Sequence, residues 1–207
     1  MTLPPELQIQ ILSLLPPTTQ IVASRVCTLW QTIIYTEDQC KRQRYTPPLG
    51  SSHFEELKLV HTFMEIPKGG FHWIAPVEEG GQWKYWCDWG TRTGHELESV
   101  DISGSPLLDE RVICWRHGEE IRSDDVIQLD LEVFSQGNLV RWRKLEALDG
   151  CGENGLTIRR LAEIIVREMG DEVRGQDLSM RSLGWKDHGR VMSTMIMLWV
   201  SVPGGLK

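Results

Sequence analysis

The chain has 207 residues, of which 41% are hydrophobic and 25% charged, with a formal net charge of −7. That length suits one small module plus one domain of about 150 residues with a core of its own. The excess of acid disfavours nucleic acid as a partner, since nucleic-acid affinity comes largely from basic contacts to phosphate. No stretch reaches the ~18 apolar residues of a membrane span, so no membrane association is expected.

The first 36 residues are the most unusual part of the chain. Only Glu6 and Arg25 are charged there, whereas Leu3, Leu7, Ile9, Ile11, Leu12, Leu14, Leu15, Ile21, Val22, Val26, Leu29, Trp30, Ile33 and Ile34 are large and hydrophobic. Pro4-Pro5 reads as a helix start, because proline in the first turn costs no intrahelical hydrogen bond, and Glu6 lies near the positive end of the helix dipole. Leu7, Ile11, Leu14 and Leu15 share one face, Ile9 and Leu12 lie off it, and Pro16-Pro17 ends the helix. Thr18 or Thr19 can cap a second helix on which Ile21, Val22, Val26, Leu29, Trp30 and Ile33 continue the pattern. Helices that are apolar nearly all round need burial on more than one side. Either the segment packs wholly onto the rest of the chain, or a partner protein covers it, as when a helix lies in a groove.

The same residues carry a resemblance. Leu3-Pro4-x-Glu6-Leu7-x-x-x-Ile11-Leu12-x-x-Leu15-Pro16, followed by Val26-Cys27-x-x-Trp30, resembles the F-box, the helical module by which substrate receptors attach to the Skp adaptor of Skp–cullin–F-box ubiquitin ligases. Thr19 stands where the family commonly has Asp, Gln31 where a basic residue is usual, and the segment from Glu37 to Tyr45 lacks the second tryptophan of many members. The resemblance implies adaptor contacts from Leu3, Pro4, Glu6, Leu7, Ile11, Leu12, Leu15, Pro16, Ile21, Val26, Cys27, Trp30 and Ile34, and through the adaptor a cullin scaffold. The order of helix and strand is also similar to receptors of the large fungal F-box families.

Residues 1–46 hold four basic side chains (Arg25, Lys41, Arg42, Arg44) against three acidic ones (Glu6, Glu37, Asp38), which leaves −8 on the remainder. Plain solubility accounts for such a charge, and a basic or neutral partner fits it. Pro47, Pro48, Gly50, Ser51 and Ser52 break both helix and strand, so residues 47–52 read as a linker and residues 53–207 as a second domain.

In that domain the pattern turns to strands: Leu57 to Ile66, Phe71 to Val77, Gln82 to Trp89, Arg111 to Trp115, Val126 to Phe134, Leu139 to Leu145 and Arg190 to Val202. Ile127, Leu129, Leu131 and Val133 alternate with Gln128, Asp130 and Glu132, as in a strand with one wet face. Val191 to Val202 is apolar on both faces and reads as buried. Thr157 can cap a helix reaching Met169, with Ile158, Leu161, Ile165 and Met169 inward, Glu163 and Arg167 paired outside and Gly170 as its stop. The fold class is α+β: a three-helix F-box-like module, then a mixed, β-rich domain with one amphipathic helix near the C-terminus.

Eight of the nine tryptophans lie in the second domain. Trp83 and Trp89 share a strand face with Tyr85 and Cys87, while Trp86 points the other way with Lys84 and Asp88. Core packing accounts for most of them. Aromatic side chains also dominate recognition surfaces, which makes Trp86 the candidate target-binding residue.

Motifs for chemistry are absent or weak. Gly150-x-Gly152-x-x-Gly155 has the dinucleotide-binding spacing, but too few residues follow for further alternating strands and helices, and a loop is the better reading. The six histidines show no metal-ligand spacing, no G-x-S-x-G frames a serine, and the five cysteines are odd in number and without a C-x-x-C pair. Neither metal, cofactor nor disulfide is expected, and the cysteines are expected to be reduced. No signal peptide is read at the start, which points to the cytoplasm, the nucleus or both. The expectation is a non-enzymatic substrate receptor that brings an unknown target protein to a ubiquitin ligase and contributes proximity. The alternatives are an F-box protein in a non-degradative assembly and an enzyme with an F-box-like appendage.

Overall fold

The computed structural model describes residues 3–46, 58–62, 70–74, 83–89, 98–115, 126–135, 138–149, 156–170, 177–187 and 191–201. The chain divides into two compact units, Met1–Thr46 and Pro47–Lys207. The linker expected at 47–52 lies outside the described residues.

The first unit has four helices where three were expected: α1 (Pro5–Ser13), α2 (Pro17–Ala23), α3 (Thr28–Thr36) and α4 (Asp38–Arg42), followed by the short strand β1 (Tyr45–Thr46). Proline sets both early starts. Pro4 and Pro16 are the extended cap residues (ψ 145° and 149°), and Pro5 and Pro17 occupy the first helical positions. Thr18 and Thr19, expected as caps, therefore follow the start of α2, which has no side-chain cap. The apolar run beyond them is not one helix. The N–H groups of Arg25 and Val26 fall back on the carbonyls of Val22 and Ala23 at 3.1 and 3.0 Å, which tightens and closes α2. Cys27 is then fully extended (φ −160°, ψ 161°) before α3, and Glu37 is extended between α3 and α4.

In the second unit β2 (Lys58–His61) pairs antiparallel with β6 (Ile113–Trp115). The remaining strands, β3 (Gly70–Ile74), β4 (Lys84–Trp89), β5 (Glu98–Asp101), β7 (Val126–Ser135), β8 (Asn138–Asp149), β9 (Asp177–Asp187) and β10 (Val191–Ser201), form a seven-stranded sheet in the order β5-β4-β3-β9-β10-β7-β8. Only β10 and β7 run parallel among these pairs. β10 lies between β9 and β7 with partners along both edges, the position its continuous apolar run demands.

Three strands were not expected, β1, β5 and β9. In β9 the reason is a register shift: Thr194 pairs with Trp185 and Ile196 with Ser182, so Leu183 and Gly184 lie opposite the single Met195. Such a bulge breaks the two-residue period by which a strand is recognised.

The last helix, α5 (Ile158–Met169), follows the expected rules. Thr157 accepts from the N–H of Arg160 at 3.2 Å, Gly170 closes the helix at φ 65°, and Ile158, Leu161, Ile165 and Met169 are buried. The surface pairs differ from expectation. Glu163 bonds Arg160 one turn earlier at 3.2 Å, and Arg167 lies 3.5 Å from Glu168. The helix packs against a single 3-10 turn, Pro106–Asp109, whose Leu107 and Leu108 are buried and whose Leu107 N–H is held by Ser105 Oγ at 3.3 Å.

These contacts rank three substitutions in α5. By urea unfolding, Ile165→Ala should cost roughly 2 to 5 kcal/mol as a core truncation. Thr157→Ala should cost about 1 kcal/mol through the lost cap, and Glu163→Ala less than about 0.5 kcal/mol because its ion pair is exposed.

Candidate functional site

The first unit has a small core. Leu12, Ala23, Ile33, Ile34 and Cys40 form its buried cluster, with Ile9, Leu15, Trp30 and Tyr35 packed partly against it. Burial raises the Cys40 thiol pKa above its ordinary value, against the pull of the nearby Arg44 charge. A polar network runs through the same interior. Arg44 is fully buried, and its Nη1 donates to Gln20 Oε1 at 2.9 Å, to the Ile34 carbonyl at 3.1 Å and to the Cys40 carbonyl at 3.4 Å. Gln20, also buried, donates through Nε2 to the Leu12 and Leu15 carbonyls at 3.3 and 3.2 Å. Ser24 Oγ bonds the Ile21 carbonyl at 2.7 Å and lies 3.0 Å from the Tyr35 hydroxyl, and Trp30 Nε1 donates to Gln8 Oε1 at 2.8 Å.

With the interior filled in this way, much of the apolar inventory stays outside. Leu3, Leu7, Ile11, Leu14, Val22, Val26 and Leu29 are between 44% and 81% exposed, Leu14 the most. Leu7, Ile11 and Leu14 follow the i, i+4, i+7 spacing of one side of α1, the side opposite the buried Leu12. Val22 on α2, Val26 in the turn after it and Leu29 on α3 are exposed as well, with Cys27 exposed among them. A soluble surface rarely groups large apolar side chains in this way without a partner.

Of the residues expected on a docking surface, Leu3, Pro4, Glu6, Leu7, Ile11, Pro16, Val26 and Cys27 are exposed. Leu15 and Trp30 are half-buried. Leu12, Ile21 and Ile34, also expected there, lie in the interior of the unit at 1%, 2% and 1% exposure. Leu14, Val22 and Leu29 were missed, although their spacing with Leu7 and Val26 was the signal that could have found them.

A family model for the F-box-like domain matches residues 1–45. Residues 1–45 are thus an F-box-like domain. No curated protein and no solved structure matches it. F-box domains typically bind the Skp adaptor, and the exposed stripes lie within the matched segment.

In the second unit, Trp86 lies on β4 in register with His72 of β3 and Asp101 of β5, and its side chain is outside the described residues. The Gly150 to Gly155 segment also lies outside them. The neighbouring positions form a cluster that sequence reasoning missed. The ring of Tyr85, buried in the sheet, stacks on Trp83 with centroids 6.0 Å apart, and the Arg159 guanidinium lies 5.6 Å from its centroid while bonding Asp109 at 2.8 Å. This arrangement ties β4, α5 and the 3-10 turn together. A second pair joins the buried His61 to Glu110 at 3.2 Å. Among the described residues no group of three His, Cys, Asp or Glu could hold a metal ion, and no helix is long and apolar enough to cross a membrane.

Two measurements check this environment. Burial pushes the Cys114 thiol up to about 12, so with a thiol reagent at pH 8 and peptide mapping, exposed Cys27 should label fast while Cys40 and Cys114 label at least about a hundredfold more slowly. Burial likewise pushes the Tyr85 phenol from 10.0 up to about 12, with the Arg159 charge opposing. A raised folded-state value stabilises fully below the unfolded value and is lost as pH climbs towards 12. The urea midpoint of the wild type should therefore fall more steeply than that of Tyr85→Phe between about pH 10 and 12.

Proposed function

We propose that this protein is a substrate receptor of a Skp–cullin–F-box ubiquitin ligase, docking on the Skp adaptor through the exposed stripes of its F-box-like domain and holding a target protein with its second unit. The observation that carries the reading is the outward placement of Leu3, Leu7, Ile11, Leu14, Val22, Val26 and Leu29 within the matched residues. Burying a side chain of that size is worth roughly 1.5 to 3 kcal/mol each before the costs of association, so a handful of anchors sustains a specific complex.

In this reading the receptor itself performs no bond making or breaking. It links target and ligase, so that a conjugating enzyme held by the cullin scaffold meets a target lysine at high effective concentration. Such a complex would work in the cytoplasm, the nucleus or both. The target surface is proposed on β4 at Trp86, with Trp83 just before the strand.

The test is co-purification of full-length chain with the Skp adaptor, followed by identification of cullin and ubiquitylated proteins in the eluate. Replacing Leu3, Leu7 and Leu14 together by Ala should abolish capture, because central anchors commonly cost about 2 kcal/mol or more each. It should leave the melting temperature of the second unit unchanged, since all three side chains are exposed. Capture of the triple variant at the wild-type level would contradict the assignment. Adaptor without cullin would favour a non-degradative assembly.

A further inference from the structure

We infer that Gln20 and Arg44 are the positioning residues of the docking face, an inference that rests on the proposed adaptor docking. The last carbonyls of a helix have no partner within it. The carbonyl of Leu12 at the end of α1, which also accepts from the Leu15 N–H, and that of Leu15 just beyond the helix both accept from one amide of the next helix, Gln20 Nε2, at 3.3 and 3.2 Å. These carbonyls bracket Leu14, the most exposed of the large apolar side chains. Gln20 thus pins the turn that presents Leu14 and carries the chain into the second stripe.

Arg44 fixes which way that amide faces. A guanidinium only donates and a carbonyl only accepts, so with Arg44 Nη1 on Gln20 Oε1 at 2.9 Å the amide nitrogen must point at the two carbonyls. The same nitrogen of Arg44 reaches the Ile34 and Cys40 carbonyls, which anchors the strut to α3 and α4. The network is polar, buried and directional, and its far end is the docking turn. A carboxylate at position 20 would keep an excellent partner for Arg44 but could donate nothing, and would set its negative charge against the Leu12 and Leu15 carbonyls. Gln20→Glu therefore separates stability from positioning.

The experiment uses the full-length chain, with adaptor affinity measured by titration calorimetry and amide hydrogen exchange read at single residues. In Gln20→Glu the amides of Leu14 and Leu15, which bond the Ile11 and Leu12 carbonyls, should exchange at least about tenfold faster. The amides of Gln31 and Glu37 in and after α3 should stay within about threefold, and adaptor affinity should fall at least about tenfold. A second variant, Gln20→Met with Arg44→Met, should recover much of the unit's stability, because apolar groups can replace a buried polar network, yet leave docking weakened. Wild-type affinity in Gln20→Glu with unchanged Leu14 and Leu15 exchange overturns the inference, as does faster exchange spread equally over α3. Full recovery of affinity in the double Met variant also overturns it. If the wild type binds no adaptor, the docking proposal alone falls, and selective exchange at Leu14 and Leu15 still supports the positioning of the turn.

Discussion

A unit of 46 residues cannot cover its own apolar surface when only seven of its side chains are charged. Surface grows against volume as chains shorten, and below about 60 residues a domain buries a markedly smaller share of what its unfolded chain exposes. Here the deficit is concentrated on two outward stripes. Every other feature of the first unit follows from keeping those stripes outside and the chain between them in place.

The interior is organised to that end. Its apolar cluster is small, and the largest fully buried side chain is an arginine. A charge placed there needs its hydrogen bonds satisfied, and Arg44 meets carbonyls and an amide from α2, α3 and α4. Hydrophobic contacts alone are non-directional and would tolerate several packings of four short helices. Fixed donors and acceptors select among them. The unit therefore has polar groups inside where direction matters and apolar groups outside on the proposed docking face. In the second unit the long pairings of β7, β8, β9 and β10 build the sheet, α5 buries its apolar face, and the buried His61 is paired with Glu110.

What could be read from residues alone was the local pattern. The helix from Ile158 to Met169, with its Thr157 cap and Gly170 stop, follows a single period and two termini, and the proline-led start at Pro5 follows from backbone sterics, whereas Pro17, read as part of the break, begins α2. Which side of α1 turns inward did not follow, because it carries apolar residues on both arcs and periodicity cannot rank them. Leu12, Ile21 and Ile34 went inside, while Leu14, Val22 and Leu29 stayed out. The bulge opposite Met195 hid β9, since its alternation shifts midway. Gln20 and Arg44 are 24 residues apart, and Asp109 and Arg159 are 50 apart. No local signal joins such residues, so networks and clusters of this kind emerge only from the fold.

The central claim is that the outward stripes of the F-box-like domain are an adaptor-binding surface. Side-chain footprinting of the full-length chain, with and without a saturating Skp adaptor, tests it most directly. Leu3, Leu7, Ile11, Leu14, Val22, Val26 and Leu29 should lose most of their modification in the complex, while the already buried Leu12 and Ile34 should not change. Adaptor binding that leaves these seven side chains as reactive as in the free protein would contradict the account.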